Sequence, residues 1–514
     1  MMWRKIRAKL IFAVLITVSV NCFVPPAPAQ PAPPTKPNIV FILVDNVGWG
    51  HFACYGGTVP TPRIDTLARE GIRFNNYNTE CQCTPTRSAI MTGRHPVRSG
   101  TFKVPLPGEG KAGMSPWEYT IAKLLSDDGY ATALYGKWHL GDTQGRLPND
   151  QGFDEWWGCM NSWDEAGYTA WPLFKESGMP VPMIWEGVKG QPSTPVMPLD
   201  LKVRPIVDEK YIVPKTIDFI KRNAAANKPF FVYVGYSELH PPAIPNPNFA
   251  NKSTERGGLM ADLIAEMDVR VGQIMDAVKE AGVDDNTIFI LSSDNASGGA
   301  IPQAGGGENG PWRGNFFNTP FEGSMRAPAM IRWPGKVPAG VVTDQIFAAV
   351  DWLPTLAGMV GSSNLVPKDR PIDGVDASAF MLGKSDSTGR DTYMFFGVDG
   401  KLMSVKWKIF KMVFRYTADS PRPAMESGYI EPQIPMFYDL SSDPHEDNNL
   451  FYTDLTCGWM LAPAFRVIGE YERSIREYPN IKTGEEFTGY KGKATETESG
   501  TPPEAEHSRN RASE

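Results

Sequence analysis

Two Asp-Asn pairs, Asp45-Asn46 and Asp294-Asn295, each follow a short apolar run, and between them lie Cys83, Arg87, Lys137, His139 and His240. The paired residues offer oxygen ligands only. Such a set suits a hard divalent cation: Ca²⁺ accepts irregular carboxylate and amide geometry, whereas Mg²⁺ demands a near-ideal octahedron and suits it less, and zinc would want nitrogen or sulfur. Either pair alone reads as a turn or helix cap; the same pair after two strand-like runs favours a metal. Cys83 opens a Cys-x-Pro-x-Arg pattern within "CTPTRSAIMTGR". The stretch "RSAIMTG" reads as the first turns of a helix ended by Gly93, which places Cys83 near a helix amino terminus, where backbone N–H groups favour anions. On these residues alone, Cys83 is open to being a disulfide partner, a metal ligand, a thiol nucleophile or the precursor of another group.

The elements that must position these residues are strands. "NIVFILV" (38–44), "ATALY" (131–135), "FFVYVGY" (230–236) and "TIFILSS" (287–293) are apolar runs of strand length, as expected of strands buried on both faces. They are followed by Asp45-Asn46, by Lys137 and His139, by His240, and by Asp294-Asn295. In open α/β sheets ligands bind beyond the carboxyl ends of the strands, so four strands deliver polar groups to one edge. Leu263, Met267, Val271, Ile274 and Val278 recur at helical spacing before Gly282 and predict a core-packing helix. Residues 38–385 thus read as one α/β domain. Beyond them, "TYMFFGV", "KLMSVKW", "KIFKMVF" and "MFYDL" predict a small antiparallel sheet, followed by a helix over 463–477, in a second domain spanning 386–480. Residues 481–514 are polar and turn-rich and read as a disordered tail.

Composition bounds the rest. The chain has 514 residues, 41% of them hydrophobic, with a net charge of −7. That balance gives no basic footprint for nucleic acid. Residues 1–29 read as a signal peptide, with Arg4, Lys5, Arg7 and Lys9 before an apolar stretch and Ala27-Pro28-Ala29 as the cleavage site, and proline-rich 30–37 as a linker. A secreted or periplasmic product is expected, without stable membrane insertion, because no later apolar run approaches the length that spanning requires. Cys54, Cys81, Cys83, Cys159 and Cys457 follow the leader, an odd number for a compartment that favours disulfides. Trp156, Trp157, Trp163, Trp171 and Trp185 crowd one insertion, where core or loop anchoring is the simpler reading than ring stacking.

The motifs in order, "PNIVFILVDNVGWG", "TPRIDTLAREGIRF", "CTPTRSAIMTGR", "YGKWHLG", "PNDQGFDEWWG", "SELHPP", "SSDNASGG", "FEGSMRAPAMIRWPG" and "YDLSSDPHEDNNL", resemble the type I sulfatases, the arylsulfatase group of the alkaline-phosphatase-like superfamily. The resemblance runs from about residue 38 to 449 and implies an α/β/α sandwich with a large mixed sheet plus a smaller α+β domain. It implies hydrolysis of a small-molecule or carbohydrate sulfate ester. It further implies that a maturation enzyme oxidises Cys83 to Cα-formylglycine (3-oxoalanine), leaving four cysteines, a number compatible with a disulfide or two of undetermined pairing. In this family one hydroxyl of the hydrated aldehyde attacks sulfur, and the second later expels sulfate, which is why a plain serine would not serve as well. Carried onto this chain, Arg87 supports the aldehyde hydrate, Lys137 binds the sulfate, His139 assists the diol and its elimination, and His240 serves the leaving oxygen. Asp45, Asn46, Cys83, Asp294 and Asn295 would face a Ca²⁺, with Mg²⁺ the lesser candidate. Two positions depart from the family: Asn46 stands where a second aspartate is usual, and "PWRGNFFNTPFEG" lacks the lysine usual before the Glu-Gly matched by Glu322-Gly323. Arg313 is a candidate replacement cation, although a structural arginine is the simpler reading. Three alternatives remain at this point: a phosphonate or phosphate ester hydrolase of the same superfamily, a weakly catalytic sulfatase-like binding protein, and a thiol hydrolase using unmodified Cys83.

Overall fold

Beyond Asn38, the run "NIVFILV" contains no polar side chain, so a strand built from it must be covered on both faces. It forms β1 (Asn38–Val44), fully buried at the centre of a ten-stranded sheet in the computed structural model, which describes residues 36–106, 109–253, 258–298, 308–316, 320–418 and 428–490. In chain order the other strands are β2 (Ile72–Phe74), β3 (Ala131–Lys137), β4 (Glu155–Cys159), β5 (Met183–Val188), β6 (Thr194–Pro198), β7 (Phe230–Gly235), β8 (Thr287–Ser293), β9 (Ala329–Arg332) and β10 (Val341–Thr343). Their spatial order is β10-β2-β9-β8-β1-β7-β3-β4-β5-β6. The central five, β8-β1-β7-β3-β4, are parallel. Antiparallel pairing of β9 with β8 and of β5 with β4 makes the sheet mixed.

Alternate side chains of the central strands enter two separate cores. Ile39, Phe41, Leu43, Phe231, Tyr233, Ile288 and Ile290 lie on one face, with Trp352 and Leu353 packed over them. Val40, Ile42, Val44, Val232, Val234, Phe289 and Leu291 lie on the other, under the helix Leu259–Glu280. Leu263, Met267, Val271, Ile274 and Val278 of that helix are all buried, as their spacing predicts. The result is the α/β/α sandwich expected from the sequence.

Close approach of β7, β3 and β4 rests on glycines in register, Gly235, Gly136 and Gly158. Gly136 has φ +112°, and a Cβ there would sit 1.9 Å from Gly235 O. Gly136→Ala is therefore expected to destabilise the fold by about 3 kcal/mol or more, since it adds a backbone clash to a left-handed conformation. Thermal unfolding checks this, and an unchanged midpoint would contradict it.

The small sheet is β11 (Thr392–Phe396), β12 (Leu402–Trp407), β13 (Phe410–Val413) and β14 (Met436–Asp439), antiparallel throughout and in that order. The helix expected over 463–477 spans Leu461–Glu477. The described residues from Lys36 onward belong to one compact unit. The polar tail expected from 481 differs in its first ten residues. Arg146 donates to Gly484 O and Glu485 O, Ile481 is buried, and Phe487 and Tyr490 pack edge-on against Trp117. The remainder, 491–514, lies outside the described residues, as do 1–35, where the signal peptide and most of the linker are expected. No helix among the described residues is long and apolar enough to cross a membrane.

The cysteine count is compatible with a disulfide or two, but none forms among the described residues. Cys54, Cys81, Cys83, Cys159 and Cys457 are all free thiols. Cys81 and Cys159 instead lie near carbonyl oxygens, those of Phe396 and Asn161, at 3.8 Å each. Of the clustered tryptophans, Trp156, Trp157 and Trp163 are core residues, whereas Trp171 is 74% exposed.

Candidate active site

The carboxyl ends of β8, β1, β7, β3 and β4 converge on one edge of the sheet, and the helix Cys83–Thr92 points its amino terminus there. Gly93 ends that helix at φ +67°, as a left-handed cap. Cys83 occupies its first position and Arg87 lies one turn on, so both project from the same face. Thr84 ties the helix to the end of β3 by donating to His139 O at 3.0 Å.

Arg87 organises the edge. Its guanidinium donates to Asp294 Oδ2 at 2.8 and 3.2 Å, to Asp45 Oδ2 at 3.0 Å and to Lys137 O at 3.0 Å, and it lies 3.5 Å from Tyr233 Oη. Lys137 Nζ lies 2.8 Å from Asp45 Oδ2, and all four charged side chains are fully buried. Two carboxylates thus face two cations and balance to zero charge, as the desolvation of buried ions requires. Burial pushes the Asp45 carboxyl up, but Lys137, His240 and Arg87 outweigh it and bring it to about 2. Asp294 is pushed up to about 6 by burial and by neighbouring Asp45.

The oxygen ligand set fits a hard cation. Asp45 Oδ1 and Asn295 Oδ1 are buried acceptors with no donor on them. Asn46, in the left-handed region at φ +60°, donates its backbone N–H to Asp294 Oδ1, and its side-chain oxygen accepts from Asn295 Nδ2 at 2.5 Å. Ligand atoms of Asp45, Cys83 and His240 all lie within 4.8 Å of one another. Buried acceptors without donors are what a cation's coordination sphere satisfies.

Three side chains face this centre with defined proton states. Burial pushes the Cys83 thiol up to about 12, Lys137 opposing it without cancelling it, so an unmodified thiol stays protonated and is a poor nucleophile. His139, at φ +62°, is held neutral by burial, Lys137, Arg87 and His240, and its buried Nδ1 has no partner. His240 is lowered by burial and by Lys137, with Asp45 and Asp164 opposing. Its Nδ1 lies 2.8 Å from Pro241 O, and a carbonyl only accepts, so Nδ1 carries the hydrogen. Nε2 of neutral His240 is then an acceptor, 3.1 Å from Ser162 Oγ.

All nine residues singled out in the sequence therefore meet at this edge. Reading the sequence missed Tyr233, Ser162 and Asp164; each lies in or just after a strand that ends here, which is the signal that could have found Ser162. Arg313 is engaged elsewhere: it donates to Glu446 O, and its guanidinium lies 3.8 Å from the Phe321 ring centroid. Near Glu322, whose local sequence carries no lysine, Lys406 of β12 and Lys411 of β13 reach the buried carboxylate at 2.7 and 3.0 Å. Burial pushes the Glu322 carboxyl up, but Lys406, Lys411 and Arg326 hold it well below the usual range.

A buried cysteine at a helix amino terminus, buried carboxylate and amide oxygens without donors, and two buried cations are the groups that a site for tetrahedral anionic esters would need. The comparisons narrow that class. The Sulfatase family model matches residues 37–362. N-acetylgalactosamine-6-sulfatase from Canis lupus familiaris is 33% identical over 390 residues, 74% of this chain and 72% of that protein. Arylsulfatase A from Homo sapiens is 31% identical, over 80% of this chain and 83% of that protein. Among solved structures, the PsFucS1 sulfatase from Pseudoalteromonas sp. superposes with a TM-score of 0.79 at 28% identity, covering 87% of this chain and 92% of that one. The chain belongs to the sulfatase family. It is a sulfuric ester hydrolase of the alkaline-phosphatase-like α/β fold.

Proposed function

We propose that residue 83 acts as Cα-formylglycine, made from Cys83 by a maturation enzyme, at a Ca²⁺ site formed by Asp45, Asn46, Asp294 and Asn295, in a secreted or periplasmic protein. The observation that carries this reading is the place of residue 83, buried at the first position of a helix with its Sγ within 4.8 Å of ligand atoms of Asp45 and His240, where burial pushes a thiol up to about 12. A thiol hydrolase would need a thiolate there. The calcium would supply Lewis-acid polarisation of the sulfate oxygens. The aldehyde hydrate would supply a nucleophilic hydroxyl and a second one for release.

The chain's own groups divide the remaining work. Lys137, held fully charged by Asp45, binds the anionic sulfate, and Arg87 fixes the carboxylates and backs the nucleophile. Neutral His139 accepts the proton of the second hydroxyl as sulfate departs. His240 presents Nε2 to the leaving oxygen. With Asn46 in place of a second aspartate, the site carries one negative charge fewer, so a bound Ca²⁺ leaves it net positive and attracts a sulfate ester while being held less tightly.

The test is the mass of the tryptic peptide containing residue 83 in protein made by a host with the maturation enzyme: formylglycine is about 18 Da lighter than cysteine. An unmodified thiol in active enzyme would overturn the reading. Relative rates on 4-nitrophenyl sulfate and 4-nitrophenyl phosphate separate it from phosphate ester hydrolysis, and the sulfate is expected to turn over faster. Chelation with EGTA is expected to lower both the unfolding midpoint and aryl sulfate turnover, because Asp45 Oδ1 and Asn295 Oδ1 lose their counter-charge. Restoration by Ca²⁺ in preference to Mg²⁺ identifies the ion; a midpoint indifferent to chelator contradicts a structural calcium.

A further inference from the structure

Behind His240 lies a buried arginine that the catalytic scheme above does not use. Arg204 opens a short turn, Arg204–Ile206, that runs through the π-helical segment Asp208–Ile212 into the helix Val213–Ala225. It is 1% exposed. Its guanidinium donates to Ser237 Oγ at 2.7 Å, to Ser237 O at 2.6 Å and to His240 O at 2.8 Å. These three acceptors bracket the loop that carries His240 away from β7. Asp208, from the same segment, accepts from Ser237 Oγ and from Ser237 N–H, so Arg204 and Asp208 together hold the N–H, the hydroxyl and the carbonyl of one residue. In front, Ser162 Oγ and Pro241 O engage the two ring nitrogens.

We infer that Arg204 is a positioning residue for the reaction, acting through His240: its rigid fork holds the Ser237 and His240 carbonyls so that Nε2 faces the leaving oxygen. The inference rests on the role proposed above for His240. A planar guanidinium suits the task because it meets three acceptors from fixed directions, which a flexible ammonium does not. Without it, the His240 carbonyl loses its donor and Ser237 O keeps only the His240 N–H at 3.2 Å, so the loop must rotate the His240 carbonyl towards another partner, carrying the imidazole with it. Misplacement by about 1 Å costs on the order of 10²-fold in rate where a group must meet a reacting atom.

Arg204→Met and Arg204→Lys, each alone and combined with His240→Ala, test this in the full-length matured enzyme on 4-nitrophenyl sulfate and phenyl sulfate. These esters have the same shape but differ in leaving-group basicity. Arg204→Met is expected to lower kcat on phenyl sulfate about 10- to 100-fold. It should lower kcat on 4-nitrophenyl sulfate only a few-fold and leave KM little changed, with Arg204→Lys intermediate. In the His240→Ala background the further loss should fall to near unity. Equal losses on both esters, or the same loss with and without His240, would overturn the inference by showing that Arg204 only supports the fold. If Arg204→Met does not fold, Arg204→Lys carries the same comparison. Failure of the wild-type enzyme to turn over either sulfate would instead strike the proposed function.

Discussion

Cys83→Ala is expected to abolish sulfate ester turnover, lowering kcat on the order of 10⁶-fold, the scale on which removal of a covalent nucleophile acts. Fold and metal site should persist, because Arg87, Lys137, Asp45 and Asp294 neutralise one another without the thiol. An unchanged unfolding midpoint with lost activity would therefore locate the defect in chemistry. Cys83→Ser sharpens the point. A serine hydroxyl has a single oxygen: it can attack sulfur but has no second hydroxyl to expel sulfate. It is expected to give a single burst of phenol and an enzyme heavier by about 80 Da, the mass of a transferred sulfuryl group. Steady turnover by Cys83→Ser would show that the aldehyde is dispensable and would end the formylglycine reading.

Much of this edge was legible because its residues are bound to strand ends. Aliphatic runs such as "NIVFILV" and "TIFILSS" fit only fully buried strands, and parallel strands must present their carboxyl ends together, so Asp45, Asp294, Lys137 and His240 converge by topology. Arg204 was not legible. It lies in no periodic pattern, and it meets the Ser237–His240 loop only after the chain has traversed a helix and β7. Ser162 was hidden differently: β4, "EWWGC", is built on two tryptophans and a glycine, so it reads as an aromatic insertion and the polar residue beyond it loses its context. The lysines at Glu322 show the same limit. The local stretch lacks one, yet β12 and β13 supply two from more than eighty residues away. Residues 481–490 are polar in composition, but Arg146 and Trp117, distant in sequence, satisfy their carbonyls and rings. Pairings set by tertiary contact leave no periodicity to read.

His240→Ala is expected to discriminate between leaving groups. In the free enzyme the imidazole is neutral, pulled down by burial and by Lys137, with Nδ1–H committed to Pro241 O and Nε2 accepting. To assist departure, Nε2 must carry a proton to the oxygen as the S–O bond breaks. An anionic sulfate at Lys137 offsets the positive field that depresses His240, so substrate binding favours the imidazolium when it is needed. A poor leaving group needs that proton and a nitrophenolate does not. On phenyl sulfate the variant should lose about 10²- to 10⁴-fold in kcat, the range of general acid catalysis, while on 4-nitrophenyl sulfate the loss should be far smaller. The sign of the pH dependence follows: the phenyl sulfate rate should fall as pH rises through the His240 pKa of the complex, and that limb should vanish in His240→Ala. Equal losses on the two esters, or survival of the limb in the variant, would show that His240 orients the sulfate and that the proton comes from elsewhere.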